Sequence, residues 1–69
     1  MMTILLNGQE HSFPPNSTIQ DVVALCCGTP IPQGVAVALN QMVVPRQQWT
    51  SVTVSDGDEI EVLWASSGG

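Results

Sequence analysis

A single helix-forming stretch, set between two groups of short strand-like runs, does most to limit what this chain can fold into. Ile19, Val22, Val23 and Cys26 recur at helical spacing and make one apolar stripe. Ser17 and Thr18 precede them as candidate N-caps, with Gln20 and Asp21 three residues further on. Asp21 also places a carboxylate in the first turn, where the helix dipole favours it. Gly28 is suited to close the helix, and Pro30 and Pro32 keep it from resuming. Such a helix has about two and a half turns. Alone it would not hold, so its stripe must be covered by a sheet.

The sheet is legible on both sides of it. Thr3 to Leu6 is a β-rich run, Asn7-Gly8 is the strongest two-residue hairpin signal, and Gln9 to Phe13 is the returning strand. His11 is expected there as a solvent-exposed residue. Pro14-Pro15-Asn16 ends that strand. After the helix, Val35 to Leu39 alternates, with Val35, Val37 and Leu39 on one face and Ala36 and Ala38 on the other. Asn40-Gln41 forms a turn, Met42 to Val44 returns, and Pro45 stops it. Gln47 to Trp49 makes a turn or a single helical turn, with Trp49 as an anchor of a small core. Val52 to Val54 is a short extended piece. Ser55-Asp56-Gly57-Asp58 is a tight turn in which Gly57 supplies a positive φ. Glu59 to Trp64 closes the domain, pointing Ile60 and Val62 inward with Trp64 a candidate to join them.

The order is thus β-β-α-β-β-β, and the helix has to cross one sheet face. Pairing the first strand with the last, in parallel, satisfies the right-handed crossover rule. The expected fold is α+β: a β-grasp, or ubiquitin-like, mixed sheet of four to five strands with one helix packed across it. In that arrangement the last strand is central. Residues 1–64 form the domain and residues 65–69 a flexible tail that leaves the end of the sheet.

Sixty-nine residues allow one domain with a small core. Arg46 is the single Lys or Arg against six acidic residues, and a formal charge of -5 argues against nucleic acid or an anionic membrane as partner. No apolar run is long enough to span a bilayer, and Met1-Met2-Thr3 lacks a basic leader, so a cytoplasmic protein is expected. Cys26 and Cys27 are adjacent, about 3.8 Å between Cα atoms, closer than an ordinary disulfide wants. Two such residues also cannot build a structural zinc site. They are expected as reduced thiols, with Cys26 turned to the core. One His and two neighbouring Cys in unrelated elements do not make an acid, base and nucleophile constellation, so no catalytic residues, bound cofactor or metal are expected.

Past Trp64 the sequence gives way to small residues and ends Ser66-Ser67-Gly68-Gly69. Without a Cβ, two glycines let a backbone enter a slot too narrow for any side chain. The group delivered at the tip would be the Gly69 carboxylate, with Gly68, Ser67 and Ser66 threading a partner's channel. The competing reading is an ordinary Gly/Ser-rich disordered end. The sheet suggests a second contact. If Ile4, Leu6, Val35, Val37, Ile60 and Val62 face the helix, then Leu5, Ala36, Ala38 and Leu63 line the opposite face. An apolar patch there, rimmed by Glu59 and Glu61, is suited to docking a partner.

The run Ala38-Leu39-Asn40 through Val44-Pro45-Arg46, then Trp49, Asp56-Gly57-Asp58-Glu59-Ile60-Glu61 and the terminal Gly68-Gly69, resembles the ThiS family of sulfur carriers in the wider MoaD–ThiS group. Asp-Gly-Asp is common to many β-grasp carriers, whereas Val-Pro-Arg-x-x-Trp with a Gly-Gly end is far more specific. The inserted Pro30-x-Pro32 and the Trp64-Ala65-Ser66-Ser67 stretch depart from the pattern. The resemblance implies a protein acted on by others, monomeric when free. A ThiF-type enzyme would adenylate Gly69 with ATP and magnesium, and a cysteine persulfide would supply sulfur. A ThiG-type thiazole synthase in thiamine biosynthesis would then receive it. For Arg46 two roles stand open: a local pair with an acidic side chain, or a contact to the partner enzyme. The alternatives are a carrier for another pathway, of the molybdopterin synthase small-subunit type, or a ubiquitin-like interaction module whose tail does no chemistry.

Overall fold

A computed structural model describes residues 1–64, which form a mixed five-stranded sheet crossed by one helix. The strands are β1 (Met2–Leu6), β2 (Gln9–Phe13), β3 (Val35–Leu39), β4 (Met42–Val43) and β5 (Glu59–Trp64), in the spatial order β2-β1-β5-β3-β4. β1 and β2 form an antiparallel hairpin, as do β3 and β4. β5 lies between the hairpins, parallel to β1 and antiparallel to β3. This is the β-grasp arrangement, with the last strand in the middle.

Both hairpins are closed by two-residue turns of positive φ: Asn7 (51°) with Gly8 (84°), and Asn40 (49°) with Gln41 (73°). That backbone twist matches the twist of the flanking strands, and Asn tolerates it better than most side chains. β4 is one residue shorter than its sequence suggests, because Val44 leaves the strand to enter the core. The short edge strand that results is a poor template for unwanted pairing.

The helix α1 (Ile19–Cys27) begins with a capping box. Thr18 Oγ1 accepts from Asp21 N at 3.2 Å, and Asp21 Oδ2 accepts from Thr18 N at 2.9 Å. The other free amides of the first turn find partners in a distant loop: Ile19 N donates to Val52 O and Gln20 N to Trp49 O, both at 3.0 Å. The Val52–Val54 piece is therefore more than a connector. It satisfies donors that a helix start leaves open, and Thr18 and Thr53 bridge beside it. At the other end Gly28 adopts φ 80°, ψ 176°, a region open essentially to glycine alone.

Ile19, Val22 and Val23 from α1 pack on Ile4, Leu6, Val37, Ile60 and Val62 of the sheet, all buried. Cys26 and Cys27 both lie against this core yet stay half-exposed, so Cys26 is at its margin rather than inside it. Phe13, Ile31, Val44, Trp49 and Val54 close the ends. Trp49 follows the 3-10 turn η1 (Arg46–Gln48), is 1% exposed, and donates through Nε1 to Val44 O at 2.9 Å. His11 pairs with Ile4, which turns it to the helix side. It is half-buried there, so the expectation of a solvent-exposed residue does not hold. Trp64 also differs from the alternating pattern. The core ends at the Val37–Val62 pair, and Trp64, beside half-buried Val35, is 56% exposed.

Candidate functional site

The turn Ser55–Asp58 brings the chain to β5. Gly57 (φ 87°) lets it reverse, Asp58 Oδ2 accepts from Ser55 N at 2.7 Å, and Asp56 Oδ1 accepts from Thr3 N at 2.8 Å. β5 therefore starts already tied to the beginning of β1.

Two asparagines then hold β5 from opposite sides. Asn40, in the β3–β4 turn, donates its own N–H to Glu59 O (2.7 Å) and accepts Glu59 N on Oδ1 (2.9 Å). Its Nδ2 reaches Asp58 Oδ1 at 3.1 Å. Asn7, in the β1–β2 turn, donates its N–H to Ile60 O (2.9 Å) and accepts Val62 N on Oδ1 (2.8 Å). Its Nδ2 donates to Val62 O at 3.3 Å. Asn40 fixes the entry of the strand and Asn7 its exit. Sequence reasoning gave both residues a turn role and missed the clamp. The available signal was Asn as the first residue of each hairpin turn, where its side chain can reach past the strand end.

The outer sheet face carries the expected surface. Leu5, Ala36, Ala38 and Leu63 all lie on it, as the register pairs Leu5 with Glu59, Ala38 with Glu61 and Ala36 with Leu63. Val43, paired with Ala38, extends it. Leu63 is 59% exposed and Val43 78%. Glu59 and Glu61 do not rim this patch. They stand inside it, because β5 is the middle strand and its outward side chains occupy the centre of the face. A groove of about 410 Å³ runs here past Leu5, Gly8, Glu61 and Leu63.

Arg46 is held elsewhere. Its guanidinium donates to the carbonyls of Ile31 and Pro32, both at 3.0 Å, and its Cζ lies 5.2 Å from the Trp49 ring centroid. The anticipated acid pair is replaced by two main-chain acceptors, which the Pro30–Pro32 loop presents once folded back. Val-Pro-Arg-x-x-Trp is thus first a structural unit: the Trp fills the core, and the Arg covers it and ties down a loop. The Cys27 thiol is pushed above its ordinary pKa by burial, with neighbouring Cys26 adding to the effect. Thiolate is therefore scarce at Cys27 at neutral pH, and that side chain is ill-suited to nucleophilic work. No cluster of metal-ligating side chains occurs among the described residues. Nor is any helix long and apolar enough to cross a membrane. The predicted tail, with Ser66, Ser67, Gly68 and Gly69, lies outside the described residues.

A central last strand between two hairpins, with one helix across the sheet, defines a class: small proteins of the β-grasp, or ubiquitin-like, fold. The crystal structure of thiamine biosynthesis protein ThiS from Geobacter metallireducens is similar at a TM-score of 0.76 and 26% identity, covering 99% of this chain and 100% of that one. Residues 4–69 match the model of the ThiS family, and the chain belongs to that family. It is a carrier rather than a catalyst. The sulfur carrier protein ThiS of Escherichia coli is 34% identical over 68 residues, 99% of this chain and 100% of the relative. A thiazole synthase of Paramagnetospirillum magneticum is 31% identical over 68 residues, which span 99% of this chain and 20% of that longer protein.

Proposed function

We propose that this chain carries sulfur on the carboxyl group of Gly69 for thiazole formation in thiamine biosynthesis. The observation that carries the reading is a family match running through Gly69 on a fold whose central strand points toward that end. A carboxylate oxygen attacks the α-phosphorus of ATP on a ThiF-type enzyme, which supplies the magnesium, and pyrophosphate leaves. The product is an acyl-adenylate. The terminal sulfur of a cysteine persulfide then attacks the acyl carbon and AMP leaves. A second thiol attacks the donor's sulfur, freeing a thiocarboxylate and leaving a disulfide on the donor side. The thiocarboxylate is ionised at neutral pH and is a far better nucleophile than a carboxylate, so it can pass sulfur to an acceptor. A thiazole synthase containing a stretch similar to this whole chain supports a thiazole-forming acceptor of the ThiG type.

Mass spectrometry of the chain purified from its own cells tests this. A species heavier by the exchange of one oxygen for sulfur, located at Gly69 by fragmentation, is the expected result. Only the free carboxylate, in cells actively making thiazole, would refute the proposal.

The outer sheet face is the proposed docking surface for the activating enzyme, with Leu5, Ala36, Ala38 and Leu63 in contact. Removing Leu5 and Leu63 side-chain area should weaken the complex without touching the chemistry. Leu5→Ser with Leu63→Ser is expected to raise KM about tenfold and leave kcat in place. An unaltered KM in the folded double variant would remove the patch from the interface.

The cysteines are expected to be dispensable. A Cys26→Ala, Cys27→Ser variant should still be thiocarboxylated, with a stability loss of about 1–2 kcal/mol from the core margin. Complete loss of sulfur loading in the folded variant would move the chemistry to the helix end.

A further inference from the structure

We infer that Asn7 is a positioning residue for activation of the tail: its side chain closes the β1 side of the last strand at Val62, two residues before that strand ends at Trp64. The inference rests on the carrier reading above and adds a residue to it.

β1 ends at Leu6, and at Asn7 (φ 51°) and Gly8 (φ 84°) its backbone turns away into β2. β5 continues. Its pairing with β3 runs on to Trp64, whereas its strand pairing with β1 stops at Leu6–Ile60. On the β1 side the next residue whose N–H and C=O face outward is Val62, two places past Ile60. The Asn7 carboxamide meets both: Oδ1 takes the Val62 N–H at 2.8 Å and Nδ2 reaches the Val62 carbonyl at 3.3 Å.

A carboxamide sets an acceptor oxygen and a donor NH₂ group at nearly the O-to-N spacing of a peptide group. Asn7 therefore acts as one further β1 residue with no backbone beyond it. A real peptide would continue the ladder and draw the following residues into the sheet. The side chain completes the ladder and ends it. Val62 is also the last buried residue of β5. The clamp thus fixes the end of the core two residues before β5 itself ends at Trp64. Past Trp64 the five residues to Gly69 would reach at most about 18 Å when extended, measured from a strand end that β3 holds on its other side.

A channel that accepts a carboxylate at its far end gains from a root already in place. Conformational freedom that would otherwise be lost on binding is already given up in the free protein. Without the clamp the last residues of β5, Val62 to Trp64, fray on the β1 side, and binding must restore them. The bound geometry is the same once formed, so the loss falls on KM and spares kcat.

The experiment uses the full chain with its ATP-dependent activating enzyme, in ATP–pyrophosphate exchange at a temperature well below each melting point. Asn7→Gly keeps the positive φ and deletes the clamp. Asn7→Asp keeps the acceptor for Val62 N–H but sets an oxygen against the Val62 carbonyl. Both are expected to raise KM about tenfold with kcat within about twofold. Amide hydrogen exchange should quicken at Val62 to Trp64 while Ile4 and Val37 keep their protection. A merely structural role would speed exchange throughout and leave KM of the folded protein alone. Unaltered KM in both variants overturns the positioning role and leaves the carrier reading standing. A wild-type chain that is never activated overturns the carrier reading itself.

Discussion

Adding one residue beyond Gly69 is expected to abolish activation of this protein while leaving its fold intact. An extra residue moves the carboxylate by about 3.5 Å and puts a peptide bond where it stood. Productive attack needs the carboxylate oxygen and the α-phosphorus at near contact in one alignment, and a displacement of this size removes that alignment. Deleting Gly69 should have the same effect by falling short. Gly68→Val should act by adding a branched side chain where a narrow slot admits only backbone. The losses should be at least about a hundredfold, as expected when reacting groups are misplaced by an ångström or more. ATP–pyrophosphate exchange with the activating enzyme measures them, beside a thermal melt of each variant. All three melting points should match the parent, since Val62 is the last buried core residue among the described residues. Normal exchange by the extended chain would sink the assignment of Gly69 as the working group.

The largest effect on stability is expected at Trp49. Its indole is 1% exposed, and its Nε1 holds the Val44 carbonyl at the point where β4 turns into the core. The next residue but two, Arg46, lies over the ring and pins the Ile31–Pro32 carbonyls. Trp49→Ala leaves a cavity, unpairs a buried carbonyl and removes the surface on which that guanidinium rests. A cost of about 4 kcal/mol is expected. A domain of this size holds only about 3–10 kcal/mol in total, so the variant should lose at least about two-fifths of its stability. The Trp49 carbonyl also caps α1 through Gln20 N, so helix and sheet should be lost in one transition. Trp49→Phe keeps most of the ring and loses the indole donor, at about 1–2 kcal/mol. Urea titration followed by circular dichroism separates these values. A Trp49→Ala midpoint close to the parent's would show that the ring is not the anchor described.

Much of this architecture was legible because its determinants are local. The hairpin at Asn7-Gly8, the helix between Thr18 and Gly28, the alternation of Val35–Leu39 and the turn at Gly57 each rest on residues a few positions apart. From them the strand order follows by elimination. What escaped the sequence depends on contacts between distant segments. The Asn7 clamp spans 55 positions: an Asn opening a hairpin turn signals a side chain able to reach past the strand end, but not which strand it meets. Of the two roles open for Arg46, the local one was a pair with an acid, because charge is visible in a sequence, whereas a main-chain carbonyl turned inward by a loop is not. Glu59 and Glu61 were placed at a rim because their strand's neighbours were known and the extent of the face was not. His11 and Trp64 erred in opposite directions for one reason: an alternating pattern says which side a residue faces, but not how far the helix above it reaches.

The parallel pairing of the first and last strands gives the molecule a polarity. Leu5 stands level with Glu59; Met2 lies three residues behind that level and Trp64 five ahead. At about 3.3 Å per residue the two are separated by about 26 Å along the sheet, at opposite poles of a very small body. A weight hung on the amino end, whether a tag, a surface tether or a whole fused domain, would therefore stand clear of the pole that, under the function proposed above, enters another protein. The same weight on the carboxyl end would block it. An immobilised form anchored through Met1 would present every copy with its working end outward, like bristles set in a brush.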